Sequence, residues 1–503
     1  MCIRLYFCLI YFLILQSNAQ VVSPKREMRA VWIATVNNID WPRPEDYRPS
    51  SQQQQFRDIL DAHQQSKMNA LFVQVRAAAD AYYGKGALEP WSEWLTGKQG
   101  KAPEPYYDPL DFMIEETHNR DMEFHAWLNL NRAVFKGHSN VTTDHVSRIH
   151  PEWMLTYDGM KLFNVGIPAV RNYITSIVMN LVRNYDLDGI HFDDYFYPYK
   201  VAGQVLNDQA TFREYGGDFT NIHNWRRDNI NQLIHQISDS IKAVKPYLKF
   251  GISPFGIWRN KSSLAPDGSE TRGMSSYDDL YADTRKWLQM GWIDYIAPQV
   301  YFQQNHRFVP YQPLVDWWRK NCYGRQLYIG QGAYRLNGES GWEKADELPR
   351  QIRWNRQHAE IQGSIYFSSR SLINNYKGFQ DTLRRDLYRL PAFVPTMPWK
   401  DNVPPLPPQE FNLIQTENKV VMIWQTPDRA TDGELPRQYI VYRFLNSEPI
   451  NLNDTSHILA ILKASQTTYS DIPPHRGSYR YVVTAMDRLH NESYGVMTDI
   501  AVQ

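Results

Sequence analysis

Between residues 27 and 369, short runs that are apolar or alternate between apolar and polar recur eight times, at 29–36, 70–76, 123–130, 189–194, 249–254, 295–301, 326–331 and 364–367. Each is separated from the next by a loop and a helix-like stretch. Ile174, Ile177, Val178, Leu181 and Val182 have helical spacing ahead of the fourth run, and Ile230, Leu233, Ile234, Ile237 and Ile241 have it behind that run. Eight strands alternating with helices predict an α/β chain folded as a (β/α)8 TIM barrel over residues 26–390. A doubly wound open sheet is the structural rival, but no Gly-rich phosphate loop follows the first run.

The alternation ends in a Pro-rich segment, residues 391–408, which marks a domain boundary and reads as a linker. Beyond it come strand-like runs with turns between them, at 420–425, 438–444, 458–462 and 479–486. They predict a small all-β sandwich over residues 409–503. No charged or catalytic cluster stands out there, so the expected role is a spacer or a docking module for a partner.

The fourth run carries the chemistry. Its period-2 pattern puts Ile190 and Phe192 on one face and His191 and Asp193 on the other, and Asp194 follows where strand gives way to loop. Two carboxylates this close do not ionise independently; repulsion raises one pKa and leaves an acid beside a base, as glycoside hydrolysis requires. A strand-end cap is the bland alternative, and catalysis is favoured because active sites of such barrels gather at the C-terminal strand ends.

Composition narrows the ligand. Net charge is zero with no long Lys or Arg run, so nucleic acid and anionic membranes have no support. Aromatics make up 14% of the chain, with 16 Trp and 32 Tyr, and sugars stack their C–H faces on such rings, which points to a glycan polymer. Residues 1–19 have the layout of a secretory signal peptide: Arg4, an apolar run from Leu5 to Leu15, and Ser17 and Ala19 before a cut at Gln20. That run is too short for a comfortable membrane span. Cys8 sits inside it and not after it, unlike a lipoprotein cysteine. Only Cys322 remains after cleavage, so neither a disulfide nor a zinc-type Cys cluster is expected. No cofactor or metal is called for; His191 beside the acids lacks a third fixed ligand by spacing.

Polar residues concentrate at the predicted strand ends: Gln74, Arg76 and Asp80 at the second, Asn129, Asn131 and Arg132 at the third, Ser253 at the fifth, Gln299 and Tyr301 at the sixth, Gln331 and Tyr334 at the seventh. Such groups fill a core poorly because each buried one needs a partner, so a polar pocket explains them better. Arg76 and Asp80 are equally readable as an ion pair holding a loop. Trp32, Trp127 and Trp258 have barrel-rim packing as their alternative, and the run from Glu89 to Trp94 is either a self-packed loop or a sugar subsite.

Taken together, Arg29-Ala30-Val31-Trp32 with Asp40-Trp41-Pro42, Gln74-Val75-Arg76 with Asp80-Ala81-Tyr82-Tyr83 and Glu89-Pro90-Trp91-Ser92, His125-Ala126-Trp127-Leu128-Asn129, the acid-pair strand, Ser253-Pro254-Phe255-Gly256-Ile257-Trp258-Arg259 and Ala297-Pro298-Gln299-Val300-Tyr301 resemble the glycosyl hydrolase-like family 10 proteins over roughly residues 26–390. The resemblance implies an exported bacterial envelope enzyme, in the periplasm or on the outer cell surface, with a TIM barrel. The family includes cell-division glycosidases acting on peptidoglycan glycans stripped of stem peptides. One departure is visible: the third strand ends Asn129-Leu130-Asn131-Arg132 where the family usually has Asn-Pro-Tyr-Arg, which leaves the role of Asn131 open. Trp424, Tyr439, Tyr442, the run from Tyr479 to Ala485 and Asn491-Glu492-Ser493 resemble a fibronectin type III domain.

On this reading Asp193 and Asp194 are catalytic, and Trp32, Asp40, Trp41, Gln74, Arg76, Asp80, Tyr82, Glu89, Trp91, Trp127, Asn129, Arg132, His191, Tyr195, Trp258, Gln299, Tyr301, Gln331 and Tyr334 bind substrate. No Asp or Glu ends the sixth, seventh or eighth strand, where a retaining enzyme would place a nucleophile. Adjacent acids instead resemble the pairs of N-acetylhexosaminidases whose substrate's 2-acetamido oxygen attacks the anomeric carbon. Asp193 would then polarise the acetamido group and Asp194 act as acid and base, or the reverse. The mechanistic alternative is inversion with Asp80 or Glu89 as base. Functional rivals are hydrolysis of a dietary or storage polysaccharide and non-catalytic glycan binding.

Overall fold

The computed structural model describes residues 23–138, 140–417 and 419–502. The expected signal peptide, with Cys2 and Cys8, lies outside the described residues. The strands, in chain order, are β1 (Met28–Ile33), β2 (Ala70–Arg76), β3 (Glu123–Leu128), β4 (Arg132–Val134), β5 (Met154–Tyr157), β6 (Met160–Phe163), β7 (Gly189–Phe192), β8 (Lys249–Ile252), β9 (Tyr295–Ile296), β10 (Gln326–Gln331), β11 (Ile361–Tyr366), β12 (Gln409–Thr416), β13 (Lys419–Gln425), β14 (Gln438–Leu445), β15 (Ile458–Lys463), β16 (Thr468–Asp471), β17 (Gly477–Met486) and β18 (Val496–Val502). Eight close into a barrel in the order β1-β11-β10-β9-β8-β7-β3-β2, every pair parallel. These are the eight runs expected from the sequence, although β9 keeps only two residues of its run in strand form.

The helices anticipated around the fourth strand span Pro168–Asn184 and Ile222–Val244, and all ten apolar positions named for them are buried. Inside the barrel the alternation brings Phe72, His125, His191 and Tyr295 together. Phe72 lies 4.4 Å from His125 and 4.8 Å from His191 between ring centroids, and the His191 and Tyr295 rings are nearly coplanar in orientation. Glycine makes room for this plug. A Cβ at Gly189 would run into the His125 ring, and one at Gly251 into the Tyr295 ring.

Three features were not anticipated. The excursion after β3 carries a small antiparallel sheet, β4-β6-β5, above the barrel mouth. Its hairpin turns at Asp158-Gly159, both at positive φ (48° and 75°), the signature of a tight two-residue turn that those residue types favour. Second, the Pro-rich segment is not a free linker in its first half. Phe393 exchanges backbone hydrogen bonds with the chain at Lys25 and Glu27, Val394 and Met397 are buried with Met28 and Tyr328 at the barrel floor, and Trp399 Nε1 donates to Asp294 at 2.9 Å. Third, β12, β16 and β18 complete the C-terminal sandwich, a three-stranded sheet β12-β13-β16 against a four-stranded sheet β15-β14-β17-β18, sharing no strand with the barrel.

The sandwich docks on the barrel floor, away from the mouth. His490 Nε2 lies 2.8 Å from Glu123, whose carboxylate also pairs with Lys249 and with His125 at 3.0 Å; these contacts hold Glu123 ionised despite complete burial. Arg488 pairs with Asp186 at 2.8 Å and Lys25 with Glu492 at 2.5 Å. No helix among the described residues is long and apolar enough to cross a membrane.

Two outcomes follow from this packing. Gly251→Ala is expected to destabilise the barrel by about 1–3 kcal/mol through overpacking against Tyr295, read as a lowered denaturant midpoint; an unchanged midpoint would mean the plug has slack. Deleting residues 403–503 is expected to lower the thermal midpoint, because Glu123 and Asp186 lose His490 and Arg488, while leaving turnover per folded molecule intact.

Candidate active site

β7 delivers its two acids to one cavity. Continuing the strand's alternation, Asp193 projects from the same face as His191, and Asp194 turns toward the same space from the loop; they are 7% and 2% exposed. The cavity, about 250 Å³, is also bounded by Trp32, Gln74, Trp127, Asn129, Arg132, Tyr195, Ser253, Gln299, Tyr301, Tyr334 and Phe367. Asp193 and Asp194 are the acidic side chains among its lining residues.

A chain of amides fixes Asp193. The backbone N–H groups of Thr35 and Val36 donate to Gln74 Oε1 at 3.0 and 2.9 Å, so Gln74 Nε2 faces Asn129 Oδ1 at 2.7 Å, and Asn129 Nδ2 in turn donates to Asp193 Oδ2 at 2.8 Å. Because the far end is backbone, neither amide is free to flip. Asp194 accepts from the Tyr199 hydroxyl.

Burial dominates the titration of both acids. It raises Asp193 to about 7, with the neighbouring Asp194 charge adding to the shift and Arg132, the Tyr195 N–H and Asn129 opposing it. It raises Asp194 to about 6 against the pull of Tyr199, a backbone N–H and Gln299. The pair therefore holds a proton near neutral pH, the condition under which one carboxyl donates while the other stays charged.

Beneath them His191 is sealed in the lumen. Trp32 Nε1 only donates, and it lies 3.2 Å from His191 Nε2, so Nε2 carries the lone pair and the proton sits on Nδ1, 3.2 Å from the Tyr295 hydroxyl. Ser253 Oγ adds a contact at 2.9 Å to Nε2. Burial drives the ring well below its ordinary pKa, so it is neutral. Aromatic rings wall the opening: Tyr301 stacks near Phe367 with 6.4 Å between centroids, and Tyr334 meets both edge-on. The buried indole Nε1 of Trp127, on the cavity wall, has no hydrogen-bond partner in the protein. No group of three or more His, Cys, Asp or Glu among the described residues is placed to hold a metal.

Residues 27–345 match the family described as Glycosyl hydrolase-like 10. The chain belongs to that family. It is 45% identical over 488 residues to Glycosyl hydrolase YngK of Bacillus subtilis strain 168, covering 95% of this chain and 93% of that one. It is 39% identical over 366 residues to Glycosyl hydrolase DigH of Escherichia coli K12, covering 68% and 82%. Among solved structures, the PgaB (BpsB) glycoside hydrolase domain of Bordetella bronchiseptica overlaps 72% of this chain and 99% of its own at a TM-score of 0.47 and 12% identity. By its family and its own closed eight-stranded parallel barrel, the protein is a glycoside hydrolase built on a TIM barrel.

Several expected substrate residues lie elsewhere in this family member. Arg76 and Glu89 form a buried two-pronged ion pair at 2.6 and 2.7 Å, and Arg76 also donates to the Asn129 carbonyl, so they brace the second and third strand ends against each other. Asp40 accepts from the Ala34 and Arg370 N–H groups and from Ser368 Oγ at 2.7–2.8 Å, tying the first loop to the last. Trp41 and Tyr82 are fully buried core. Trp91 packs edge-on against Tyr106, Trp258 stacks on Trp317 at 5.2 Å, and Gln331 is buried with its amide on the Tyr311 hydroxyl at 3.0 Å. His191 supports the site from below without lining it. Asp80 is pushed up to about 6 by burial but faces an adjoining cavity with Glu93 and His138. Asn131 donates to the Phe196 carbonyl and holds the loop after the acids.

Tyr199 was missed, although the aromatic run from Tyr195 to Tyr199 directly behind the acids signalled it. Ala34, Val36 and Ile39 also border the cavity and carry no sequence signal beyond their place after the first strand.

The raised pKa of Asp193 has a stability sign. The folded chain binds more protons than the unfolded one between the ordinary carboxyl range and about 7, so this group's contribution is most favourable at acidic pH and is lost as pH rises through 7. Asp193→Asn is expected to raise the unfolding free energy at pH 8 by on the order of 1–3 kcal/mol and to change it little near pH 4. Denaturant titrations at the two pH values test this; an equal effect at both means the carboxyl is not raised.

Proposed function

We propose that the acid pair hydrolyses bacterial cell-wall glycan, namely peptidoglycan strands lacking stem peptides, with the substrate's acetamido group as internal nucleophile. The observation that carries this reading is that the two carboxylates at the end of β7 are the acidic side chains of the cavity's lining, with none facing them from another strand. A retaining mechanism with an enzymatic nucleophile needs a carboxylate across the sugar about 5 Å away, and an inverting one needs a base across it. Asp80 and Glu89, the expected alternatives, sit in a neighbouring cavity and in an ion pair.

Asp193, immobilised by the Gln74–Asn129 chain, orients the acetamido N–H and bears the developing positive charge as the acetamido oxygen bonds to the anomeric carbon. In the free enzyme the pair's proton rests mainly on Asp193; an acetamido N–H bound there favours ionised Asp193 and shifts the proton to Asp194, which gives it to the leaving oxygen and then takes one from the water that opens the ring intermediate. Tyr301, Tyr334 and Phe367 stack sugar faces.

The signal-like residues 1–19 and the bacterial relatives support an exported enzyme working in the periplasm or on the outer cell surface. The three-on-four sandwich supports a fibronectin type III reading of residues 409–503. Its place on the barrel floor suits spacing or docking to a partner without touching the mouth.

Asp193→Asn and Asp194→Asn are each expected to lower kcat on peptide-free strands on the order of a hundredfold or more with KM nearly kept. An activated leaving group should partly rescue Asp194→Asn alone; rescue of Asp193→Asn instead reverses the roles. Near-normal activity in both variants sinks the proposal. Cleavage of a neutral storage polysaccharide in preference to peptidoglycan selects the nutritional reading, and binding of strands without turnover selects the non-catalytic one. The rate should peak between about pH 6 and 7, where the pair carries one proton.

A further inference from the structure

One cation at the mouth has no structural employment. Arg132 opens β4, and its guanidinium carbon lies over two aromatic rings, 4.4 Å from the Phe135 ring centroid and 4.5 Å from that of Tyr195. Its one backbone contact is a long one, Nη1 to the Ala77 carbonyl at 3.5 Å, and no carboxylate lies within 4.0 Å of it among the described residues. Buried arginines elsewhere have their donors answered: Arg171 by the Val165 carbonyl, Asn229 and Gln232, and Arg29 by Glu27 and the Leu390 carbonyl. Arg76, Arg226 and Arg356 are each held by a carboxylate in two-pronged contact.

Arg132 also stands where two cavities meet. With Tyr195 it borders both the acid-pair cavity and an adjoining groove of about 200 Å³ between the β4-β6-β5 sheet and the loop that follows the acids. The groove's walls are largely apolar, with Leu155, Leu162, Phe163 and Tyr197 among them, and Arg132 is the basic residue of either lining. Tyr199, which also borders the groove, donates to Asp194, so the groove begins beside the catalytic pair.

We infer that the groove holds the sugar next to the scissile bond and that Arg132 binds a carboxylate carried by that sugar, making it a specificity-determining residue for acidic glycan. The inference rests on the cell-wall reading above and deepens it. Aromatic contact engages the π face of a guanidinium and not its in-plane N–H groups, which can receive a carboxylate with two hydrogen bonds. A muramic residue carries a lactyl ether whose carboxyl is free once the stem peptide is gone and is an uncharged amide while the peptide is attached. The apolar walls take the sugar face and the lactyl methyl. Its charge eases the titration of both acids from a distance, yet it forms no ion pair with either, which leaves its hydrogen-bond donors for a ligand.

The test compares peptide-free strands with the same strands after conversion of the lactyl carboxyl to the primary amide. The wild-type enzyme is expected to favour the acidic strands about tenfold or more in kcat/KM, chiefly through KM, the scale of one charge-assisted pair. Arg132→Gln should bring the ratio to within about twofold of one, and Arg132→Lys should restore part of it. Affinity for both strands, measured by calorimetry on Asp194→Asn with Arg132 intact, provides the same comparison without turnover. If neither strand is cleaved but the acidic one is bound more tightly, the reaction assigned above fails and this inference stands. Equal handling of the two strands by the wild-type enzyme, or an unchanged preference in Arg132→Gln, overturns it.

Discussion

Two neighbouring carboxyls are kept out of water at the end of one strand, and much of the barrel's interior is arranged around that constraint. Isolated buried carboxylates are costly; here the cost is offset by making the pair share its protons and by giving each member its own donor. Asn129 serves Asp193 and Tyr199 serves Asp194. Asn129 does so only because Gln74 fixes its amide, and Gln74 is fixed by the turn after β1. The support thus reaches across β1, β2, β3 and β7, four strands that lie side by side in the barrel wall.

The lower half of the lumen shows the same logic with the opposite outcome. Glu123 and Asp294 are as buried as the acids at the mouth, yet they meet Lys249, His125 and His490, and Lys400 and Trp399. His125 comes from the same strand as Glu123 and Lys249 from β8, while His490 comes from the sandwich and Trp399 and Lys400 from the Pro-rich segment. Full pairing makes the floor a structural layer that joins the domains, and it separates the sandwich from the chemistry by the length of the barrel.

Periodicity was a good guide to strands and helices because burial on one face is what period 2 and period 3.6 encode. It puts His191 and Asp193 on one face and Ile190 and Phe192 on the other, as the barrel has them. It was a poor guide to loops. Asp40, Arg76 and Glu89 have the right chemistry at the right strand ends, yet the chain folds back and spends them on each other and on backbone N–H groups. No spacing rule distinguishes a carboxylate facing a cavity from one facing an arginine thirteen residues away. The β4-β6-β5 sheet escaped for another reason: its strands are three or four residues long and half-buried, leaving the Asp158-Gly159 turn as the one strong local sign.

What discriminates function from structure in this molecule is therefore satisfaction more than residue type. Arg76 closes β2 and Arg132 opens β4 at the same mouth. Arg76 has all its charge answered by Glu89 and its shape by backbone carbonyls, so removing it would leave Glu89 buried and unpaired, a loss of stability. Arg132 is packed against the Phe135 and Tyr195 rings, with one long hydrogen bond to the Ala77 carbonyl and no carboxylate partner, so most of its donors are left for something else. Trp127 repeats the pattern with an orphaned N–H on the cavity wall, beside a carboxyl pair raised by burial. Donors and acids left incomplete in this way, within one cavity at the C-terminal ends of the strands, are arranged for a partner that the chain itself does not supply.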